Sequence, residues 1–355
     1  LIPIFFLASD LSPVSTARHL ARLVALLPRD RFHVQIGVLG KAEGPIAEWL
    51  KGKGLAVQSL PARRLVDLGG ASRLRKFTDG AKIIHAWGPA AVRASALLGD
   101  RKIVATDCSV MPPGVGGWMA TRALRRCQRV VSFTFAEGDR YRKLGVRADA
   151  LTRIAPGIEP PPLVDRAALL RELELPPQAR FIAAAGPLEP ASGFRDAILV
   201  FDLVRYEYPD LHFVIFGEGS ERESLHAFAR SLMFDDWRIR FAPARLDLPG
   251  VLAESEFVWV TAERGDPLLA LETMAAGRPV MGWKVPDMAE VMEDEITGIL
   301  VERGDRARLA SASYPYITDD ARRSFLGDSG RLRSLEHFNP HREVEQYVHL
   351  YEELA

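Results

Sequence analysis

The chain has 355 residues, 48% of them hydrophobic and 26% charged, a composition that favours two globular domains with sizeable cores over one. Lys plus Arg and Asp plus Glu each number 46, so net charge gives no pointer to nucleic acid or to an acidic surface. Cys108 and Cys127 are the only cysteines, which argues against a disulfide framework and a four-cysteine zinc site and fits a reducing, cytoplasmic setting; no apolar run reaches the length of a membrane span.

Leu1 leads directly into the strand-like run "IPIFFLA" (2–8), so no signal peptide is expected, and the lack of an initiator Met suggests that the numbering starts inside a longer chain. That run is continuously apolar, as buried parallel strands are. "TARHLARLVALLP" (16–28) repeats apolar residues at helical spacing and stops at Pro28. Then follow a strand at 32–39, a helix at 44–54 and a strand at 55–60. "KIIHAWG" (82–88), "KIVATD" (102–107) and "RVVSFT" (129–134) are further short apolar runs, each followed by a turn or helix signal. The proline cluster "IAPGIEPPPLVD" (154–165) continues neither a helix nor a central strand and reads as a linker.

The pattern then restarts. Strands are predicted at 180–186, 211–217, 238–243, 257–262 and 278–283, with helices at 194–208 and 220–232. Alternation of strand and helix implies parallel sheets covered on both faces. The last segment, "REVEQYVHLYEEL" (342–354), is an amphipathic helix with Val344, Tyr347, Val348, Tyr351 and Leu354 on one face.

Ligands of such sheets bind outside the carboxyl ends of the strands. In "FGEGSER" (216–222), Gly217 and Gly219 stand between a strand and a helix. They either let an anion approach backbone amides or give a turn its freedom, and the sequence leaves both readings open. In "GDPLLALETMAAG", Glu272 is expected early in a helix, either as a favourable helix-start charge or as an acceptor for a ribose diol.

The order of these blocks resembles the retaining glycosyltransferases of family 4, of GT-B fold. The resemblance is strongest over 257–305, around "LETMAAGRPVMGW" and "EITGILV". It extends to "VIFGEGSERESL" (214–225), to 131–160 and to 330–354. It implies an α/β architecture of two Rossmann-like doubly wound parallel-sheet domains facing a central cleft. Residues 1–157 would form an acceptor-side domain, 158–339 a nucleotide-sugar donor domain, and 340–355 a helix crossing back to the first. The implied donor-side residues are Gly186, Gly217, Gly219, Arg264, Leu268 and Glu272. Ser15, His85 and Asp107 fall on the acceptor side. The candidates for catalysis are Glu272, Arg264 and Cys108. The resemblance implies a nucleoside-diphosphate sugar as substrate, an unidentified acceptor, and neither metal nor cofactor.

This sequence departs from the family pattern at functional letters. Pro13, Val14 and Ser15 stand where a glycine pair is usual, Cys108 where a histidine is, and Pro187 and Ser192 where an arginine and a lysine face the diphosphate. Arg264 stands eight positions before Glu272, where a carboxylate is usual. Cations aimed at a leaving group's charge are commonly the largest catalytic term. The alternative reading is therefore a GT-B homologue without catalysis, acting as a binding partner. Arg195 and Lys284 are substitute cations on paper, and solvated surface charge is the commoner role for both. His85 reads as structural rather than as a base. Trp118 with Arg122, Arg125, Arg126 and Arg129 forms a basic stretch that fits a solvated helix face, with weak peripheral contact at an inner membrane face as the minor alternative.

Overall fold

The computed structural model describes residues 1–60, 68–99, 101–108, 110–233 and 238–355. The chain divides into two compact units, Leu1–Gly157 with Pro340–Ala355, and Ile158–Asn339.

Unit 1 holds β1 (Ile2–Ala8), β2 (Phe32–Val38), β3 (Ala56–Ser59), β4 (Ile83–Trp87), β5 (Lys102–Thr106), β6 (Arg129–Ser132) and β7 (Leu151–Arg153). They form one sheet in the order β3-β2-β1-β4-β5-β6-β7, with every pairing parallel. Parallel neighbours need crossover connections, and helices supply them: α1 (Ser15–Leu26), α2 (Pro45–Gly52), α3 (Leu68–Phe77), α4 (Pro89–Ser95), α5 (Gly114–Leu124) and α6 (Phe135–Lys143). Unit 2 holds α7 (Arg166–Glu172), α8 (Phe194–Val204), α9 (Arg222–Met233), α10 (Leu248–Leu252), α11 (Pro267–Ala275), α12 (Pro286–Val291), α13 (Arg306–Thr318) and α14 (Asp320–His337). Its parallel sheet comprises β8 (Arg180–Ala185), β9 (Leu211–Phe216), β10 (Ile239–Ala242), β11 (Val258–Val260), β12 (Val280–Trp283) and β13 (Gly298–Val301), ordered β10-β9-β8-β11-β12-β13. The expected architecture of two parallel α/β sheets is thus present.

The predicted strands all form, and the differences lie at element ends. The helix expected over 194–208 ends as a regular helix at Val204 and passes through a turn at 205–207, and Pro209 bars helical backbone at Tyr208. The helix expected to run to Pro28 stops at Leu26 for the same reason, with Leu27 already extended. The short outer strands β7 and β13 are not among the predicted strands; only Leu151 is apolar in β7, and β13 is a four-residue run opening on Gly298.

Strand interiors build the cores. Phe5, Phe6 and Leu7 of β1 and Phe213, Val214 and Ile215 of β9 are fully buried. Each side chain of this size contributes about 1.5–3 kcal/mol by leaving water. The last helix, α15 (Pro340–Leu354), belongs to unit 1 and buries Tyr347 and Tyr351. Tyr351 meets Phe6 and Phe32 edge to face, at 6.3 and 5.8 Å between ring centroids. Glu343 at its start accepts the Gly157 N–H at 2.9 Å and bonds His19 of α1 at 2.7 Å, both in the interior.

Candidate functional site

In an open parallel sheet the ligand crevice lies where the strand order reverses, outside the carboxyl ends. In unit 2 that point falls between β8 and β11. The segments leaving those two strands are 186–193 and 261–266, and they are tied together. The Glu263 N–H donates to the Ala191 carbonyl at 2.9 Å. Gly193 has φ +70°, and a Cβ there would stand 1.9 Å from the Thr261 carbonyl oxygen, so glycine alone fits. Four of the six predicted donor-side residues follow these two strands along the chain. Gly186 directly follows β8, Arg264 and Leu268 follow β11, and Glu272 lies one turn beyond Leu268 on α11.

Gly217 and Gly219 follow β9, next to β8. A Cβ on Gly217 would lie 2.0 Å from the Gly186 carbonyl oxygen, and one on Gly219 would lie 2.4 Å from that of Leu188. Close passage of two loops therefore accounts for both glycines, while neither has the positive φ that the turn reading would call for. Just ahead of α9 an internal anion is already seated: Glu189 accepts the Ser220 hydroxyl at 2.8 Å and its N–H at 3.3 Å. The Ser192 hydroxyl donates to the Pro187 carbonyl, so the two positions that depart from the family pattern bond each other.

Glu272 does not start its helix. Asp266 is the cap, accepting the Leu269 N–H at 3.0 Å, and Pro267 fills the first helical position. Glu272 is sixth of the nine helical residues, past the turn where the dipole acts, so the helix-start account of its charge fails. Its side chain is 1% exposed, in a helix buried from Leu268 to Ala275. A carboxylate kept in such a place is held by partners, as burial of a lone charge is prohibitive. Leu268 is core. Arg264 is exposed. Of the substitute cations, Arg195 pairs with Glu221 at 3.8 Å and lies over the Phe228 ring at 5.0 Å, while Lys284 is exposed.

In unit 1 the strand order reverses between β1 and β4. Ser9 fills that point. Its hydroxyl accepts the Ala91 N–H at 3.1 Å, and Gly88, at φ +89°, leaves room for it: a Cβ would meet the Ser9 Oγ at 2.5 Å. Ser15 is the buried first residue of α1. Asp107 follows β5 in left-handed backbone, φ 56°, a conformation that Asp tolerates better than most side chains. His85 is central in β4, not at a strand end. It is fully buried, with Nδ1 2.7 Å from the Tyr351 hydroxyl and Nε2 2.8 Å from the Thr106 hydroxyl. Burial lowers its pKa to about 3, so it stays neutral and reads as a structural residue.

Cys108 is no nucleophile in this setting. It is fully buried, its thiol donates to the Thr106 carbonyl at 3.0 Å, and burial, reinforced by Asp107, holds its pKa well above the usual thiol value. Its N–H donates to the Tyr141 hydroxyl at 2.9 Å, which in turn donates to Glu137 at 3.0 Å. Glu137 also accepts the Phe133 N–H at 2.7 Å, and its own N–H is capped by Thr134 at 2.9 Å. On α5, Trp118 is 65% exposed and Arg122 lies 6.0 Å from its ring, but Arg125 bonds the Leu144 carbonyl and Arg129 pairs with Glu353. Half of that basic stretch is thus used within unit 1. Among the described residues no helix is long and apolar enough to cross a membrane, and no three His, Cys, Asp or Glu side chains group as a metal site would require.

Sequence reasoning missed Asp266, Gly193, Ser9 and Glu137. The Asp-Pro pair at 266–267 and the spacing Thr134-x-x-Glu137 are readable start signals for helices. The demands on Gly193 and Ser9 come from residues far away in the chain.

Residues 179–319 match the sequence model of the family described as Glycosyl transferases group 1. The lipopolysaccharide core biosynthesis glycosyltransferase LpsE of Rhizobium meliloti is 28% identical over 189 residues, 53% of this chain and 53% of LpsE. The D-inositol 3-phosphate glycosyltransferase of Salinispora tropica is 29% identical over 195 residues, 52% of this chain and 40% of that protein. The chain thus spans about half or less of the length of these relatives. The structure of HepE from Anabaena in complex with UDP-glucose is similar with a TM-score of 0.84 at 18% identity, covering 99% of this chain and 100% of HepE. WaaG, a glycosyltransferase involved in lipopolysaccharide biosynthesis, gives a TM-score of 0.78 at 13% identity over 98% of this chain and 99% of WaaG. The chain therefore has the GT-B fold, and within unit 2 it carries the segment that matches the glycosyl transferases group 1 model.

Proposed function

We propose that this chain is a glycosyltransferase that moves a sugar from a nucleoside-diphosphate sugar to an acceptor, with retention at the transferred carbon. The observation that carries the reading is the match of residues 179–319 to the group 1 model, a stretch that includes the two segments leaving β8 and β11 at the reversal of strand order. Further support comes from HepE, a protein of the same fold whose structures contain UDP and UDP-glucose.

In this reading Glu272 accepts hydrogen bonds from the ribose diol of the donor. The bond from the sugar's anomeric carbon to the diphosphate breaks, and a bond to an acceptor hydroxyl oxygen forms on the same face. The acceptor proton passes to the departing diphosphate. Charge grows on that leaving group, so a cation near it lowers the barrier. The acceptor is a sugar, lipid or small molecule, and the setting is cytoplasmic.

The test is release of nucleoside diphosphate from UDP-, GDP- and ADP-sugars, with and without candidate acceptors, and NMR of the product anomer. Turnover of one donor with the anomeric configuration kept supports the proposal. An inverted product refutes retention. Nucleotide binding without turnover of any donor favours a binding protein on the same scaffold.

A further inference from the structure

Helix α14 has two faces of different character. Leu326, Gly327, Gly330 and Ser334 are buried. A Cβ on Gly327 would lie 2.1 Å from the Gly277 carbonyl oxygen, and one on Gly330 would lie 3.1 Å from Met274, so this face is seated on α11 and the turn after it. At the helical period the opposite face carries Phe325, Asp328, Leu332 and Leu335. Phe325, Leu332 and Leu335 are 63%, 57% and 54% exposed. Half-exposed Ile296 stands in the neighbouring turn, which meets α14 through the ion pair of Glu293 with Arg333. Single exposed apolar residues are ordinary, but a row of them along one helix face is a patch of the kind interfaces use.

The charges on this face have an order. In chain sequence the exposed residues include Arg322, Phe325, Asp328, Arg331, Leu332, Leu335 and Glu336. They read as a cation, an apolar residue, an anion, a cation, two apolar residues and an anion. Reversed, this row is its own complement. In an antiparallel pair of α14 helices with a twofold axis near residues 328 and 329, Phe325 of one copy comes opposite Leu332 of the other. Arg322 then comes opposite Glu336, and Asp328 opposite Arg331. Such an axis returns each flank of the helix to itself. Arg322 and Glu336 share one flank of the apolar row, while Asp328 and Arg331 lean to the other. A parallel pairing would instead set Arg322 against Arg322 and Asp328 against Asp328, and like charges in contact are costly.

We propose that this face of α14 binds a second copy of the chain as an antiparallel, twofold-symmetric helix pair. A polar residue within an apolar row fixes register and orientation, and Asp328 holds that place here. The row from Arg322 to Glu336 is about 21 Å long. One helix pair of this length is a small interface, so a dissociation constant of about 1–100 µM is expected.

The experiment is sedimentation velocity of the whole chain from about 1 to 200 µM, with circular dichroism as the check of folding. The wild type is expected to pass from monomer to dimer over that range. Leu332→Asp should remove the dimer. Arg322→Glu and Glu336→Arg should each raise the dissociation constant about tenfold or more, because a twofold pair repeats each like-charge contact. The double variant, Arg322→Glu with Glu336→Arg, exchanges the signs and should return to within about threefold of wild type. Neither single change opposes the helix itself. Arg322→Glu places an acid three residues after the Asp319 cap, and Glu336→Arg places a base in the last turn. A wild type that stays monomeric to about 200 µM overturns the proposal. So does a dimer that Leu332→Asp leaves intact, or one that the single charge changes weaken and the double variant does not restore.

Discussion

In unit 1 the strand order reverses between β1 and β4, and the molecule's own side chains occupy the neighbourhood. Ser9 caps the turn into α4, His85 is enclosed with both ring nitrogens bonded, and Cys108, Tyr141 and Glu137 form a buried chain of hydrogen bonds. In unit 2 the order reverses between β8 and β11, and there backbone meets backbone at glycines while Arg264 stays exposed and Glu272 is buried one turn away. The strand order is the same over six strands, 3-2-1-4-5-6, so topology alone does not make a ligand site. The side chains that fill or spare the reversal point decide what remains for a ligand.

The strongest way to break this comparison is to disturb the one residue that joins the two segments of unit 2. Gly193→Ala adds a Cβ into the Thr261 carbonyl and forces left-handed backbone on alanine. We expect a loss of about 2–4 kcal/mol in urea unfolding, together with weakened nucleotide binding. Wild-type stability in this variant would show that the junction is not rigid. The counterpart in unit 1 is Glu137→Ala, which strands the buried Tyr141 hydroxyl and Phe133 N–H. Its expected cost is about 1–3 kcal/mol for each group, with nucleotide affinity unchanged. A parallel loss of affinity would contradict the division of roles.

An effect spread over pH sharpens the reading of His85. Its folded pKa of about 3 lies below the unfolded value of about 6.5. Between these values the unfolded chain binds a proton that the folded chain does not, so stability falls as the pH is lowered through that window and is fully present above it. The slope from this one group is about 1.4 kcal/mol per pH unit. His85→Gln should flatten the curve between pH 6.5 and 3 relative to wild type. Equal slopes would mean that His85 is not held neutral. The smallest effect belongs to Arg195→Ala. Its exposed ion pair to Glu221 is worth under about 1 kcal/mol, and nucleotide affinity should not move. A tenfold drop in affinity would make Arg195 a substitute cation.

Much of this architecture is legible in the chain. Runs such as Ile2–Ala8 and Leu211–Phe216 are apolar throughout because both faces of a parallel strand are covered. Leu151–Arg153 escapes because only its first residue is apolar, and Gly298–Val301 because its three apolar residues are read only as part of the "EITGILV" block. At the candidate site, local chemistry was readable and partly misread. Asp266-Pro267 fixes where α11 starts, and it moves Glu272 from a helix start to a buried second turn. The demands on Gly193, set by Thr261, and on Ser9, set by Ala91, arise only when distant segments meet. No window of sequence contains both partners.

The central claim is that unit 2 binds a nucleoside diphosphate at the junction of β8 and β11, with Glu272 as a direct contact. Calorimetric titration of UDP and GDP into the wild type and Glu272→Gln tests it most directly. The account predicts that one of them binds with a dissociation constant below about 1 mM and that Glu272→Gln weakens it by about 1–3 kcal/mol while the protein stays folded. Equal affinity in the two proteins, or no binding of either nucleotide to the wild type at that concentration, would contradict it.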